Sequence, residues 1–171
     1  MPNNKLPMVA VMMGSSGDKE VMLEAKKILD EFGVPNVVRV ISAHRSPDLC
    51  RRFVREAQAK GIRIIIAGAG KAAHLAGVVA SLTTLPVIGV PLDAGMSGLD
   101  ALLSMVQMPK GVPVACMAVG KSGAANAALL AVAILALKDE KLARRLVAYR
   151  KKMAEQVARE SVVDVAEMKA R

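Results

Sequence analysis

Ile62-Arg63-Ile64-Ile65-Ile66-Ala67 runs straight into Gly68-Ala69-Gly70-Lys71, and this passage decides the architecture. A strand with one wet face alternates apolar and polar residues, whereas this run is apolar on both faces. Working outward, the same design recurs at Met8 to Met13, Val37 to Ile41, Pro86 to Val90 and Val112 to Val119. Helical periodicity fills the intervals. One pattern runs from about Lys19 to Phe32 and stops at Gly33. Another begins at Pro47 with Ser46 as its cap and ends before Gly61. A short helix follows Lys71 through Ser81, then come Leu99 to Val106 and the Ala-rich Ala124 to Leu137. A longer helix starts near Asp139 and runs through about Met168.

Doubly apolar strands alternating with helices specify a parallel sheet covered on both sides. The expected fold is an α/β three-layer sandwich with a central parallel sheet, flavodoxin-like or Rossmann-like, plus an extended C-terminal helix. At 171 residues there is room for one domain with a full core, so 1–171 is expected to form a single catalytic unit. Residues 139–171 form its helical extension. Ala124 to Leu137 is apolar all round, and the tail helix carries a stripe of Leu142, Leu146, Met153 and Val157. Both features predict a homo-oligomer.

Composition narrows the partners. The chain is 53% hydrophobic but only 2% aromatic, which leaves few rings on which bases could stack. The net charge of +9 is spread over helix faces: Lys138 to Arg171 holds ten basic and six acidic residues interspersed with Ala, Leu, Val and Met. That is the pattern of a solvated face, an oligomer rim or attraction of an anionic substrate rather than of nucleic-acid binding. Cys50 and Cys116 have no metal-ligand spacing and read as small buried hydrophobes. Met1 to Met8 is polar, and no apolar run reaches membrane-spanning length, so a cytoplasmic protein with no membrane partner is expected.

Ligands of open α/β sheets bind beyond the carboxyl ends of the strands. Four unusual loops fall there: Gly14 to Asp18, Ser42 to Arg45, Gly68 to His74 and Asp93 to Asp100. In the first, Gly14, Ser15, Ser16 and Gly17 precede a helix, where free amides and hydroxyls make an anion cradle. Asp18 either caps that helix or accepts hydrogen bonds from sugar hydroxyls. His44 is suited to proton transfer near neutrality, and Arg45 is a fork donor suited to phosphate. His74 reads as structural or substrate-lining. Two histidines without a cysteine pair make no zinc site. Gly120-Lys121-Ser122 lacks the upstream glycine of a P-loop, and Gly68-Ala69-Gly70-Lys71 is followed by Ala72 rather than Ser or Thr. Gly14-Ser15-Ser16-Gly17 lacks dinucleotide spacing, so neither ATP hydrolysis nor hydride transfer is expected.

Several blocks carry a resemblance. They are Gly14-Ser15-x-x-Asp18, Ser42-Ala43-His44-Arg45-x-Pro47, Ala67-Gly68-Ala69-Gly70-x-Ala72-Ala73-His74-Leu75 and Leu85 to Pro91. Gly98-Leu99-Asp100 through Met108-Pro109 and Ala124-Ala125-Asn126-Ala127 continue them in order. From about Val9 to Lys152 the chain resembles the carboxyaminoimidazole ribonucleotide mutases of bacterial purine biosynthesis.

The resemblance implies interconversion of N-carboxyaminoimidazole ribonucleotide and 4-carboxy-5-aminoimidazole ribonucleotide, with no cofactor and no metal. Carbon dioxide lost from the carbamate is trapped and attacked by the ring carbon. His44 would be the general acid and base, Ser15 and Arg45 would hold the phosphate, and Asp18 would take the ribose hydroxyls. Ser16, Gly17, Ser42 and Ala43 would complete that side of the substrate site. The Gly68 to Leu75 loop, with Gly70, Lys71, Ala72, His74 and Leu75, would surround the carboxylate and carbon dioxide. The resemblance also implies an octamer whose C-terminal helix, 139–171, packs on a neighbouring subunit.

Two positions depart from the family pattern. Gly17 stands where it usually has Ser, which removes one phosphate donor. Lys71 stands where it usually has Gly, so its ammonium either sits beside the carboxylate or points into solvent. The alternatives are an aminoimidazole ribonucleotide carboxylase or decarboxylase of the same fold, and a non-catalytic module that binds a phosphorylated ligand.

Overall fold

The computed structural model describes residue 6 and residues 8–161. Five parallel strands form one sheet: β1 (Val9–Met13), β2 (Asn36–Val40), β3 (Ile64–Gly70), β4 (Val87–Leu92) and β5 (Ala115–Cys116). Their order is β2-β1-β3-β4-β5. The helices are α1 (Lys19–Glu31), α2 (Pro47–Ala57), α3 (Leu75–Leu82), α4 (Leu99–Val106), α5 (Lys121–Ala136) and α6 (Glu140–Glu160). This is the doubly wound, flavodoxin-like order, with its reversal between β1 and β3.

The central strands are apolar because both of their faces are covered. Ile64, Ile65 and Ile66 are each fully buried, as are all five residues of β1. Burying one such side chain contributes about 1.5–3 kcal/mol. Ala10, Met12, Ile65, Ala67 and Ala69 form one cluster with Cys50 and Val54 of α2, Ala76 and Val79 of α3, and Ala101 and Met105 of α4. On the opposite face Met22 of α1 fills the space over Gly68, where a β-carbon would collide with its thioether. Lys121 at the start of α5 pairs with Glu20 of α1 at 2.5 Å, so the lysine of the incomplete P-loop is spent on an ion pair. Cys50 is buried and Cys116 partly so, and burial pushes both thiols up from their usual range.

Three strands depart from the expected bounds in ways that bear on the site, and α5 begins at Lys121 rather than Ala124. β3 continues through Gly68, Ala69 and Gly70, which composition marks as loop, because Ala69 pairs with Pro91 and Gly70 with Leu92. β4 is extended by the same pairing. β5 is reduced from Val112–Val119 to two residues: Pro113 has no amide to donate, and only Ala115 and Cys116 pair in register with β4. Ser46 does sit before α2, yet its hydroxyl donates to the Ser42 carbonyl at 2.9 Å instead of capping the helix.

The chain divides into two compact units, residues through Val132 and residues from Ala133 onward. In the first, the buried side of α5 is Gly123, Ala124, Ala127, Ala128, Ala131 and Val132. Leu129 and Leu130 are only half-buried, so this all-apolar helix is not fully enclosed by the single chain. In the second, Asp139 caps α6 by accepting the Leu142 amide at 3.0 Å. Of the expected stripe, Leu142 is buried while Met153 and Val157 are 51% and 66% exposed. The part of the tail helix expected beyond residue 161 lies outside the described residues. Among the described residues, no helix is long and apolar enough to cross a membrane.

Candidate active site

All four expected loops meet beyond the carboxyl ends of β1 to β4, around a cavity of about 490 Å³. Gly14, Ser15 and Asp18 line it from the β1 end, and Ser42, Ala43, His44 and Arg45 from the β2 end. Gly70, Lys71, Ala72 and Leu75 line it from the β3 end. Ala69 and Ala94 complete the wall. Ala94 escaped the sequence reading, whose only pointer to it was its place in the loop after β4. Ser16 and Gly17 are exposed and lie outside the lining. So does His74, although its ring touches that of His44.

The first loop is organised by a reciprocal cap. The Ser15 side chain accepts the Gly17 amide at 3.2 Å, and Asp18 Oδ2 accepts the Ser15 amide at 2.9 Å. This closes a 3-10 turn over Ser16–Asp18. The cradle of free amides expected there is therefore partly satisfied from within. Asp18 does cap, though it caps this turn and makes no side-chain cap bond to α1. Burial raises its carboxyl above the ordinary value of 3.8, outweighing the Ser15 amide and the charge of Arg45, which lower it.

The second loop presents His44 and Arg45 to the cavity. The Ser42 hydroxyl accepts the Arg45 amide at 3.1 Å, fixing the turn after β2. Arg45 Nη2 donates to the Gly14 carbonyl at 2.8 Å, so the guanidinium bridges the loops after β1 and β2. His44 Nε2 lies 3.0 Å from His74 Nδ1, which joins the β2 loop to the residue preceding α3.

At the third loop the chain comes very close to its neighbour. A β-carbon on Gly70 would stand 2.6 Å from Ala94 Cβ and 3.1 Å from the Leu92 carbonyl oxygen. Only a residue without a side chain fits there. Lys71 then adopts φ +55°, the left-handed region disfavoured for residues with a β-carbon. Among the described residues, no group of three His, Cys, Asp or Glu side chains is placed to hold a metal ion.

A parallel sheet with a histidine, an arginine and small residues converging at its strand-order reversal defines a flavodoxin-like α/β protein with a polar small-ligand site. Within that class, the family model described as AIR carboxylase matches residues 8–156, and the chain belongs to this family. It is 54% identical over 153 residues to the N5-carboxyaminoimidazole ribonucleotide mutase of Saccharolobus solfataricus, covering 89% of this chain and 96% of the relative. The corresponding mutase of Bacillus subtilis is 55% identical over 141 residues, covering 82% and 87%. A crystal structure of Treponema denticola PurE superposes with a TM-score of 0.81 at 27% identity, covering 90% of this chain and 96% of that one.

Proposed function

We propose that this chain is a mutase of purine biosynthesis that interconverts N5-carboxyaminoimidazole ribonucleotide and 4-carboxy-5-aminoimidazole ribonucleotide. The observation that carries this reading is the cavity itself. His44 sits in a lining that places Ser15, Asp18 and Arg45 on one side and Gly70, Ala72 and Leu75 on the other. The high identity to mutases from distant organisms supports the same assignment.

In this scheme Ser15 and Arg45 bind the phosphate and Asp18 takes ribose hydroxyls. The carbamate N–C bond breaks, its nitrogen gains a proton, and carbon dioxide is released inside the cavity. Ring carbon C4 attacks that molecule, a C–C bond forms, and C4 gives up its proton. His44 gives the first proton and receives the second, so no net proton is consumed. The ring nitrogen and amine make C4 electron-rich, and the protein supplies orientation and exclusion of water. Small residues around Gly70 allow close approach to a small molecule. The active form is a homo-octamer in the cytoplasm, with the C-terminal helix on a neighbouring subunit. Its support is the half-buried Leu129 and Leu130 and the exposed Met153 and Val157.

The test is to incubate the protein with each purified carboxylated ribonucleotide, with and without bicarbonate, and follow the products. Interconversion without added bicarbonate is expected. Release of aminoimidazole ribonucleotide with no ring-carboxylated product overturns the proposal. Turnover that depends on added bicarbonate selects instead a direct carboxylase, the reading favoured by the description of the family model.

A further inference from the structure

Lys71 occupies a backbone conformation that glycine would adopt at lower cost. Its φ of +55° is one of only three left-handed non-glycine values among the described residues, and the other two, Met96 and Ser97, fall outside the cavity lining. A long cationic side chain held in that conformation at the edge of a cavity requires a reason. It makes no ion pair or hydrogen bond with any described residue, whereas Arg45 is anchored to Gly14 and Ser42.

The fixed charges of the lining are therefore two cations and one carboxylate: Arg45, Lys71 and Asp18. The cations come from opposite walls, the β2 end and the β3 end. A ligand with two separated anionic groups suits this arrangement, one pole for each group.

We propose that Lys71 is a substrate-binding residue that selects carboxylated over non-carboxylated ribonucleotides. Its ammonium pairs with the carboxylate at the β3 wall while Arg45 holds the phosphate at the β2 wall. This inference rests on the mutase reading for the identity of the ligand. The lysine interacts with the anion before and after transfer but much less with neutral carbon dioxide, so it governs binding of both isomers more than the step between them.

The experiment compares binding of 4-carboxy-5-aminoimidazole ribonucleotide and aminoimidazole ribonucleotide, which differ by the carboxylate alone. Wild type, Lys71→Gly, Lys71→Asn and Lys71→Arg are measured by calorimetry at 0.15 M salt, and each variant is melted. Asn tolerates the left-handed region and carries no charge. We expect both uncharged variants to bind the carboxylated ligand about fivefold more weakly and the other ligand within about twofold, as for an exposed charge pair. Lys71→Arg retains most of the preference. Lys71→Gly melts about 2 °C higher than wild type because the backbone strain is relieved.

Equal weakening for both ligands overturns the proposal, because it reveals only general attraction of anions. Unchanged affinity for both overturns it as well. Binding is read without turnover, so a wild-type protein that discriminates through Lys71 but fails to interconvert the isomers defeats the mutase reading and leaves the role of Lys71 standing.

Discussion

His44 Nε2 and His74 Nδ1 lie 3.0 Å apart, with their rings nearly perpendicular at 87°. Such a contact needs one hydrogen between the two nitrogens, so whichever of them carries it donates and the other accepts. His74 is set by the start of α3, and His44 by the loop after β2. Replacing His74 with Phe keeps a ring and deletes the partner nitrogen. That variant should lose about tenfold in kcat with KM changed less than about threefold. An unchanged kcat would show that His74 only packs.

Removing the proposed proton carrier should cost far more. His44→Asn is expected to lower kcat by about 10³-fold while binding of the substrate stays within about threefold. Single-turnover kinetics alongside calorimetry separates the two quantities. A variant that keeps its turnover removes His44 from the chemistry.

Arg45→Lys preserves charge and discards the planar fork. Arg45 Nη2 donates to the Gly14 carbonyl at 2.8 Å and Nε to the Ser42 hydroxyl at 3.5 Å, which leaves Nη1 of the fork for an anion. We expect KM to rise about tenfold and inhibition by inorganic phosphate to weaken in parallel. Steady-state inhibition at fixed ionic strength measures both.

Asp18 couples stability to pH in an unusual direction. A carboxyl whose folded pKa is raised holds its proton more tightly in the folded chain than in the unfolded one. Its contribution to stability is full below the unfolded value near 3.8 and is lost as pH rises through the folded value. Asp18→Asn should therefore melt at or above the wild-type temperature at pH 7, with the difference shrinking toward pH 3. The same variant should bind the ribonucleotide more weakly. Melting curves over that pH range and one affinity at pH 7 provide the check.

Gly70→Val should be poorly tolerated. Its first added carbon meets Ala94 and the Leu92 carbonyl, and a main-chain oxygen cannot swing aside as a side-chain end can. A loss of about 1–3 kcal/mol is expected, read from the shift of the urea midpoint.

Elements were legible in the sequence wherever their signal is local. The helix at Leu99–Val106 has the bounds its periodicity predicts, and Pro47 opens α2 as expected. The end of β3 was not legible, because Ala69-Gly70 is strand by virtue of its pairing with residues twenty-two positions away. β5 is the converse case: Val112 to Val119 has strand composition, but Pro113 interrupts it and only Ala115 and Cys116 keep register with β4. The site was readable as loops because strand ends collect ligands in this architecture. The internal satisfaction of the Ser15 turn, the histidine contact and the backbone of Lys71 depend on angles that no residue pattern encodes.

The pairing of Ala69 with Pro91 and Gly70 with Leu92 also bears on how such an enzyme can diversify. Much of the β3 wall is main chain, and main chain is the same whichever residue the gene specifies. Substitution there either collides, as at Gly70, or alters little. Evolutionary latitude is thus confined to the few positions where the ladder has ended and a side chain lines the cavity. Lys71, the first residue past the strand, is the earliest of them.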